Sequence, residues 1–319
     1  METRVILGID IGGTKCAVAL GRPDGELLQR TSVQTQADQH GPEQVLYRLA
    51  EMARQIIAEH GFMRPEIRGV GISCGGPLDT TTGTMHAPPN LPGWEAVPVR
   101  AFFEDALEMP VFVENDANAT ALAEWRYGAG RGFKNVVFIT MGTGIGGGII
   151  LDGKLYRGTN DLAGELGHQT VLINGPRCGC GKRGCLEALA SGPAIARLAQ
   201  DSLQYGRHKR VLALADGKPA KITAEHVVRA AREGDDFAIG ILNEAGSYMG
   251  LGIANVIQIL NPEVVILGTI AVHAGDLILD PIRRAVEEYA WKRSSDACRI
   301  VAAGLGDRAQ DLAAIAIVE

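Results

Sequence analysis

Ile9-Asp10-Ile11-Gly12-Gly13-Thr14-Lys15-Cys16-Ala17-Val18-Ala19-Leu20 is the stretch from which the rest of the chain is read. Residues 5–11 are apolar and β-branched, and residues 16–20 are apolar again, so two strands flank a Gly-Gly turn. Asp24-Gly25 makes a second turn before a third strand over residues 26–33. Glycines at 12 and 13 let the backbone come close to a phosphate, and Thr14 adds a hydroxyl donor. Asp10, near the strand end, can hold Mg²⁺ directly or through water. Gly-Gly alone fits a plain β-turn; the Asp-Gly-Gly-Thr-Lys combination is what points to phosphate. The same plan returns at residues 139–151: strand, Gly/Thr turn, strand, then an Asp-Gly turn at Asp152-Gly153. Two phosphate-gripping hairpins on two similar domains predict a cleft that takes a nucleoside triphosphate from both sides.

Outward from the second hairpin lies GELGHQTVLINGPRCGCGKRGCLE, residues 164–187. Glu165 and His168 are three apart and share a face if the segment is one helical turn. Cys178, Cys180, Cys185 and His168 make a Cys₃His set of the kind that binds structural zinc. Free thiols in a loop are the plainer alternative. A Cys178–Cys180 disulfide would be strained, and an iron–sulfur cluster usually takes four cysteines. Glycines 179, 181 and 184 let a short backbone fold around an ion. On this reading the metal is a clamp that fixes Glu165, His168 and Glu187 around one polar ligand, with no open position for metal catalysis.

Composition bounds the rest. The chain has 319 residues, 46% of them apolar, and a net charge of −6. That length suits two domains, and the acidic balance argues against a nucleic-acid surface. The opening METRVILGIDI enters a strand directly, so no secretory leader is expected. No segment reaches the roughly 18 apolar residues of a membrane span. Cys16, Cys74 and Cys298 are scattered among apolar residues and read as buried small hydrophobes, as in a reducing cytoplasm.

Between the hairpins, residues 42–60 keep one apolar face and end at Gly61, which predicts a helix. Residues 68–73 read as a strand that leads into the glycine-rich Cys74–Asp79 loop. Pro88, Pro89 and Pro92 make the next stretch a loop, with Asn90 as its main hydrogen-bonding side chain. A short strand, 111–113, runs into Glu114-Asn115-Asp116-Ala117-Asn118, and a helix follows over 117–127. The carboxyl end of a strand is where α/β proteins place chemistry, so Asp116 is a candidate general base. An ordinary Asp (pKa ~3.9) is a weak base, yet it serves where positioning carries the rate, as in phosphoryl transfer. Helix capping is the plainer job for Asp116, Asn115 or Asn118. Gly142-x-Gly144-x-x-Gly147 matches a dinucleotide fingerprint, but a strand follows instead of a helix, so that reading is rejected. Residues 148–154 nearly spell a P-loop and fail at Leu155.

The C-terminal third reads as helical. Helices are expected at 191–203, 224–232 and 235–258, with a surface loop in 204–221. A strand at 263–267, a helix opened by Pro281 and running to 291, a strand at 299–303 and a helix at 309–317 complete the chain. The last helix is expected to pack on the first domain.

Asp10-Ile-Gly-Gly-Thr-Lys15, Glu114-Asn-Asp-Ala-Asn118, Gly142-Thr-Gly-Ile-Gly-Gly-Gly148, Gly164-Glu-Leu-Gly-His168 and Cys178-x-Cys-Gly-x-x-Gly-Cys-x-Glu187 together resemble the ROK family (repressor, ORF, kinase). They stand in family order and span nearly the whole chain. The resemblance implies a two-lobed α/β fold of the actin-like, hexokinase (ribonuclease H-like) type with an interdomain cleft. The lobes would be 1–116 with 305–319, and 117–304 carrying the zinc-stabilised loop. It implies ATP-dependent phosphorylation of a hexose 6-hydroxyl, glucose first. An N-acylhexosamine such as N-acetylmannosamine, or fructose, are the alternatives, and a sugar-responsive repressor is a remote one, because a repressor needs a DNA-reading element before the first strand. Asp116 would be the base. Gly76, Asn90, Asn115, Glu165, His168 and Glu187 would surround the sugar. Asp10, Gly12, Gly13, Thr14, Lys15, Gly142, Thr143, Gly144 and Gly268 would hold Mg²⁺–ATP. His168 would ligate zinc with one nitrogen and face the sugar with the other. A homodimer is the family's usual form; the cytoplasmic setting and the lack of a nucleic-acid or membrane partner are expected from the composition alone. One departure stands out: Thr269, Ile270 and Ala271 follow Gly268 where the family has further glycines beside adenine.

Overall fold

The computed structural model describes residues 4–202 and 209–318. The chain divides into two compact units. One is Met1–Arg131 with Leu155–Ala163 and Leu305–Glu319; the other is Gly132–Lys154 with Gly164–Gly304.

The first unit is built on β1 (Val5–Ile11), β2 (Lys15–Gly21), β3 (Leu27–Gln34), β4 (Ile67–Cys74) and β8 (Val111–Asn115), in the order β3-β2-β1-β4-β8. The β1–β2 and β2–β3 pairs are antiparallel, while β1–β4 and β4–β8 are parallel. Strand alternation sorts β1 by face. Val5, Leu7 and Ile9 join the core under α1 (Pro42–His60), whereas Ile6 clusters with Ile315 and Val318 on the other side. That opposite face is covered by α12 (Ala309–Ala316), so the last helix does pack on the first unit. Gly8 and Gly71 make the close approach possible: a Cβ on Gly71 would lie 1.9 Å from the Ala314 carbonyl oxygen. A small sheet, β5 (Leu78–Asp79), β6 (Thr84–Met85) and β7 (Val97–Pro98), precedes α2 (Val99–Leu107).

The second unit repeats the plan. Strands β9 (Val136–Ile139), β10 (Gly147–Leu151), β11 (Lys154–Leu155), β12 (Val264–Leu267) and β13 (Arg299–Ala302) lie in the order β11-β10-β9-β12-β13. Again a hairpin is antiparallel and the later strands run parallel to its first strand. The self-similarity of the two glycine turns is therefore a similarity of whole sheets. Beside this sheet lie α4 (Glu187–Ala190), α5 (Gly192–Asp201), α6 (Lys209–Leu214), α7 (Ala224–Arg232), α8 (Asp236–Leu260), α9 (Ile270–Ala274), α10 (Asp276–Tyr289) and α11 (Lys292–Ser295).

Several elements differ from the sequence reading. Strand β8 continues through Glu114 and Asn115, and α3 (Asp116–Tyr127) starts one residue early, at Asp116. That helix packs on α12 and stays with the first unit, whereas the sequence put the joint near Asp116. Pro281 does not open a helix; it lies inside α10, with its ring against Gly246 of α8, where a Cβ would lie 2.9 Å away. The polar stretch 204–221, in which a surface loop is expected, also contains α6, with a turn at 215–217; residues 203–208 lie outside the described residues. Cys16 and Cys74 are buried as expected, but Cys298 is only half-buried.

Candidate active site

On the first unit, the β1–β2 turn is shaped by close contacts. A Cβ on Gly12 would lie 2.6 Å from the Lys15 carbonyl, and one on Gly13 would lie 2.5 Å from the Asn90 carbonyl. The Asn90 loop therefore sits directly against the glycine turn. Thr35 secures the turn from behind: its hydroxyl donates to the Gly12 carbonyl (2.6 Å) and its amide to the Thr14 carbonyl (2.9 Å). Thr14 and Lys15 are exposed.

Asp10 lies beside Ser73, its register partner on β4. Burial pushes its carboxyl up to about 7, and the carboxylates of Asp116 and Asp311 push the same way, against a Ser73 hydrogen bond and Arg30. Asp116 stands at the first position of α3, at the carboxyl end of β8, and is solvent-exposed. Capping falls to Asn115, whose side-chain oxygen accepts from the amides of Ala117 (3.0 Å) and Asn118 (3.4 Å). Asp116 Oδ1 accepts from the Ala117 amide as well (2.8 Å). Asn115 Nδ2 lies 3.4 Å from where a Gly76 Cβ would be. Thus Gly12, Gly13 and Asn90 form one group, Gly76 and Asn115 another, and Asp116 is electrically coupled to Asp10.

On the second unit, the 142–148 turn and the Glu165–His168 turn interlock backbone to backbone. A Cβ on Gly167 would lie 2.1 Å from the Ile145 carbonyl, and one on Gly164 would lie 2.4 Å from the Gly147 carbonyl. Leu166–His168 is one turn of 3₁₀-helix, which puts Glu165 Oε2 3.6 Å from His168 Nε2. Glu187 opens α4; its Oε2 accepts from the Ile145 amide (3.0 Å) and its Oε1 lies 3.4 Å from Cys178 Sγ. Next to Gly268, Thr269 adopts φ 54° and ψ −105°, a strained conformation for a β-branched residue. Its hydroxyl lies 3.0 Å from that of Thr140, and its methyl 3.5 Å from where a Gly142 Cβ would be. The family departure at Thr269 thus falls beside the glycine turn.

His168, Cys178, Cys180 and Cys185 bring one ligand atom each within 4.8 Å of one another. Cys178 Sγ lies 3.7 Å from His168 Nδ1, and Cys180 Sγ 3.7 Å from Cys185 Sγ. A tetrahedral zinc ion with bonds of about 2.3 Å to sulfur and 2.0 Å to nitrogen has edges of about 3.8 Å (S–S) and 3.5 Å (S–N). The four side chains therefore fit such an ion. Nδ1 is the nitrogen on the sulfur side, and Nε2 is the one on the Glu165 side.

The ROK family profile matches residues 6–319. The chain belongs to the ROK family. It is 38% identical over 314 residues to the glucokinase of Thermotoga maritima, covering 98% of this chain and 97% of that one. The ROK hexokinase of Thermus thermophilus superposes with a TM-score of 0.84 at 36% identity, covering 98% and 97% of the two chains. The ROK glucokinase of Streptomyces griseus, solved with glucose and AMPPNP, gives 0.80 at 34% identity, with 98% of each chain covered. The mixed α/β fold is accordingly that of the ROK hexokinases.

Three residues around Asp116 and Asp10 carry little signal in the sequence. Glu114 was legible only as the first letter of its box, yet its side chain is fully buried and holds the Asn115 amide. Arg157, which pairs with it, carries no local signal, because the partner lies 43 positions away. Ser73 reads in the sequence as the end of a strand, and its hydroxyl hydrogen-bonds to Asp10.

Proposed function

We propose that this ROK protein is an ATP-dependent hexose kinase that phosphorylates the 6-hydroxyl of glucose. The observation that carries the reading is the placement of Asp116: exposed, at the carboxyl end of a parallel strand, on the first turn of α3, and close enough to Asp10 for their charges to interact. The glucokinases among its relatives support a hexose substrate, with glucose as the first candidate.

In this mechanism Asp116 accepts the 6-hydroxyl proton as the oxygen bonds to the γ-phosphorus; the bond from that phosphorus to the β,γ-bridging oxygen breaks and ADP leaves with its electron pair, so the work of Asp116 is mainly positional. On the first unit, Gly76, Asn90 and Asn115 are the candidates for sugar contacts and Gly12, Gly13, Thr14 and Lys15 for phosphate contacts. On the second, Glu165, His168 and Glu187 are the candidates for sugar contacts and Gly142, Thr143, Gly144 and Gly268 for nucleotide contacts. Asp10 would hold Mg²⁺, and that ion would supply charge neutralisation at the phosphates. His168, Cys178, Cys180 and Cys185 would hold a structural zinc, with Nε2 of His168 left on the Glu165 side. As in the family generally, the protein works as a homodimer; the cytoplasmic setting rests on its composition.

The test is a coupled ADP-release assay with ATP and Mg²⁺ over glucose, mannose, fructose, glucosamine, N-acetylglucosamine and N-acetylmannosamine. Glucose is expected to give the highest kcat/KM. Asp116→Asn is expected to lower kcat by about 10²–10⁴-fold, the usual contribution of a positioned base, while glucose binding by calorimetry persists. Full activity in that variant overturns the assignment of the base, and a dominant acetamido sugar overturns glucose.

A further inference from the structure

Glu114 is the penultimate residue of β8 and its side chain is fully buried. A carboxylate removed from water needs a donor for every lone pair and a compensating charge. Both are present. Oε1 accepts from the Asn115 backbone amide (3.0 Å) and from Asn118 Nδ2 (3.1 Å). Oε2 accepts from Arg157 Nε (2.8 Å) and Nη2 (2.8 Å). The first pair of bonds brackets Asp116: Asn115 caps α3 immediately before it, and Asn118 lies two residues after it. The second pair ties this bracket to a guanidinium whose rigid fork sets direction as well as charge.

Arg157 reaches this position on the segment Leu155–Ala163, which packs with the first unit although the chain on either side of it belongs to the second. The segment is anchored twice. Besides Arg157, Asp161 Oδ2 accepts from the Thr80 amide (3.1 Å) and hydroxyl (2.8 Å). Thr80 and Thr81 are in turn held through their carbonyls by Arg100, at 2.7 and 2.6 Å. Arg157 itself is 43% exposed, so filling space is not its main task.

We propose that Arg157 is a positioning residue for Asp116, acting through Glu114 to fix the β8–α3 turn on which the base stands. The inference rests on the reading of Asp116 as the base. A glutamine at 114 would turn an NH₂ toward a donor, and a lysine at 157 would keep the charge but lose the fork. Both changes loosen the turn without touching sugar or nucleotide.

The experiment compares Arg157→Ala, Arg157→Lys, Asp116→Asn and the double variant Glu114→Gln/Arg157→Met for kcat, for KM of each substrate and for thermal midpoint. Arg157→Ala is expected to lower kcat by up to about 10²-fold, as small displacements of a reacting group do, with the KM for ATP within about twofold of wild type. Arg157→Lys is expected to fall between. The double variant removes the unpaired buried charge, so its midpoint should recover while kcat stays low; if Arg157→Ala does not fold, this variant and Arg157→Lys carry the test. Recovery of kcat with the midpoint would overturn the proposal, because Arg157 would then only neutralise Glu114. Wild-type kcat in Arg157→Ala, with Asp116→Asn inactive, would overturn it and leave the base reading standing. Full activity in Asp116→Asn would remove the base and this inference together.

Discussion

Asp10 is a single side chain whose burial carries a stability cost that depends on pH. Burial raises its carboxyl from 3.8 to about 7, with Asp116 and Asp311 adding to the rise. The folded protein then holds a proton that the unfolded chain has already released between those two values. Stability therefore falls as pH rises through that window, and the full penalty applies above about pH 7. At 1.36 kcal/mol per pKa unit, the penalty is on the order of a few kcal/mol in the metal-free protein. Asp10→Asn removes the buried charge. We expect its thermal midpoint in chelator to exceed that of wild type at pH 8, and the difference to vanish near pH 4, while ATP-dependent turnover is lost. An unchanged midpoint at pH 8 would mean that Asp10 is well solvated.

At the scale of elements, two contacts stand out. Helices α8 and α10 pack through glycine notches: Gly246 receives Pro281, and a Cβ on Gly250 would lie 2.5 Å from both Ala285 Cβ and the Ile282 carbonyl. Gly250→Ala gains about 1 kcal/mol of helix propensity. Overpacking costs about 1–3 kcal/mol, so urea unfolding should show a net loss. The other contact is the cysteine loop, where a Cβ on Gly184 would lie 1.7 Å from the Leu172 carbonyl, at φ 71°. The four side chains of the Cys₃His cluster have the spacing to hold such a loop around one ion. Elemental analysis is expected to find about one zinc per chain, and Cys180→Ser should lose the metal, lower the midpoint and weaken glucose binding. Metal-free wild-type protein with full activity would show the clamp to be unnecessary.

Over the whole molecule, two sheets share one strand order, and the C-terminal helix completes the first of them. Leu312, Ala313, Ala314, Ile315 and Ala316 are all buried in α12, and Gly8 and Gly71 have no side chain of their own to cover the sheet at that point. Deleting residues 309–319 should therefore leave an apolar sheet face exposed to water. Loss of the soluble species and binding of a hydrophobic dye are the expected results; a soluble, cooperatively unfolding product would show that α12 is dispensable.

The sequence by itself determined the glycine turns, the position of Asp116 at a strand–helix junction, the Cys₃His spacing and the repeat of one plan in two units. Each of these is local: turn geometry, alternation and ligand spacing act over a few residues, so they can be read from neighbours in the chain. Tertiary structure decided the rest. It gave the cap to Asn115 and left Asp116 at the first helical position; it put Pro281 inside a helix, because Gly246 makes room for its ring; and it brought Arg157 to Glu114. The last two outcomes depend on which groups meet across long loops, and the first on where β8 ends, which its pairing with β4 carries through to Asn115. Burial then sets the energies, since a carboxylate out of water must find a partner wherever the fold supplies one.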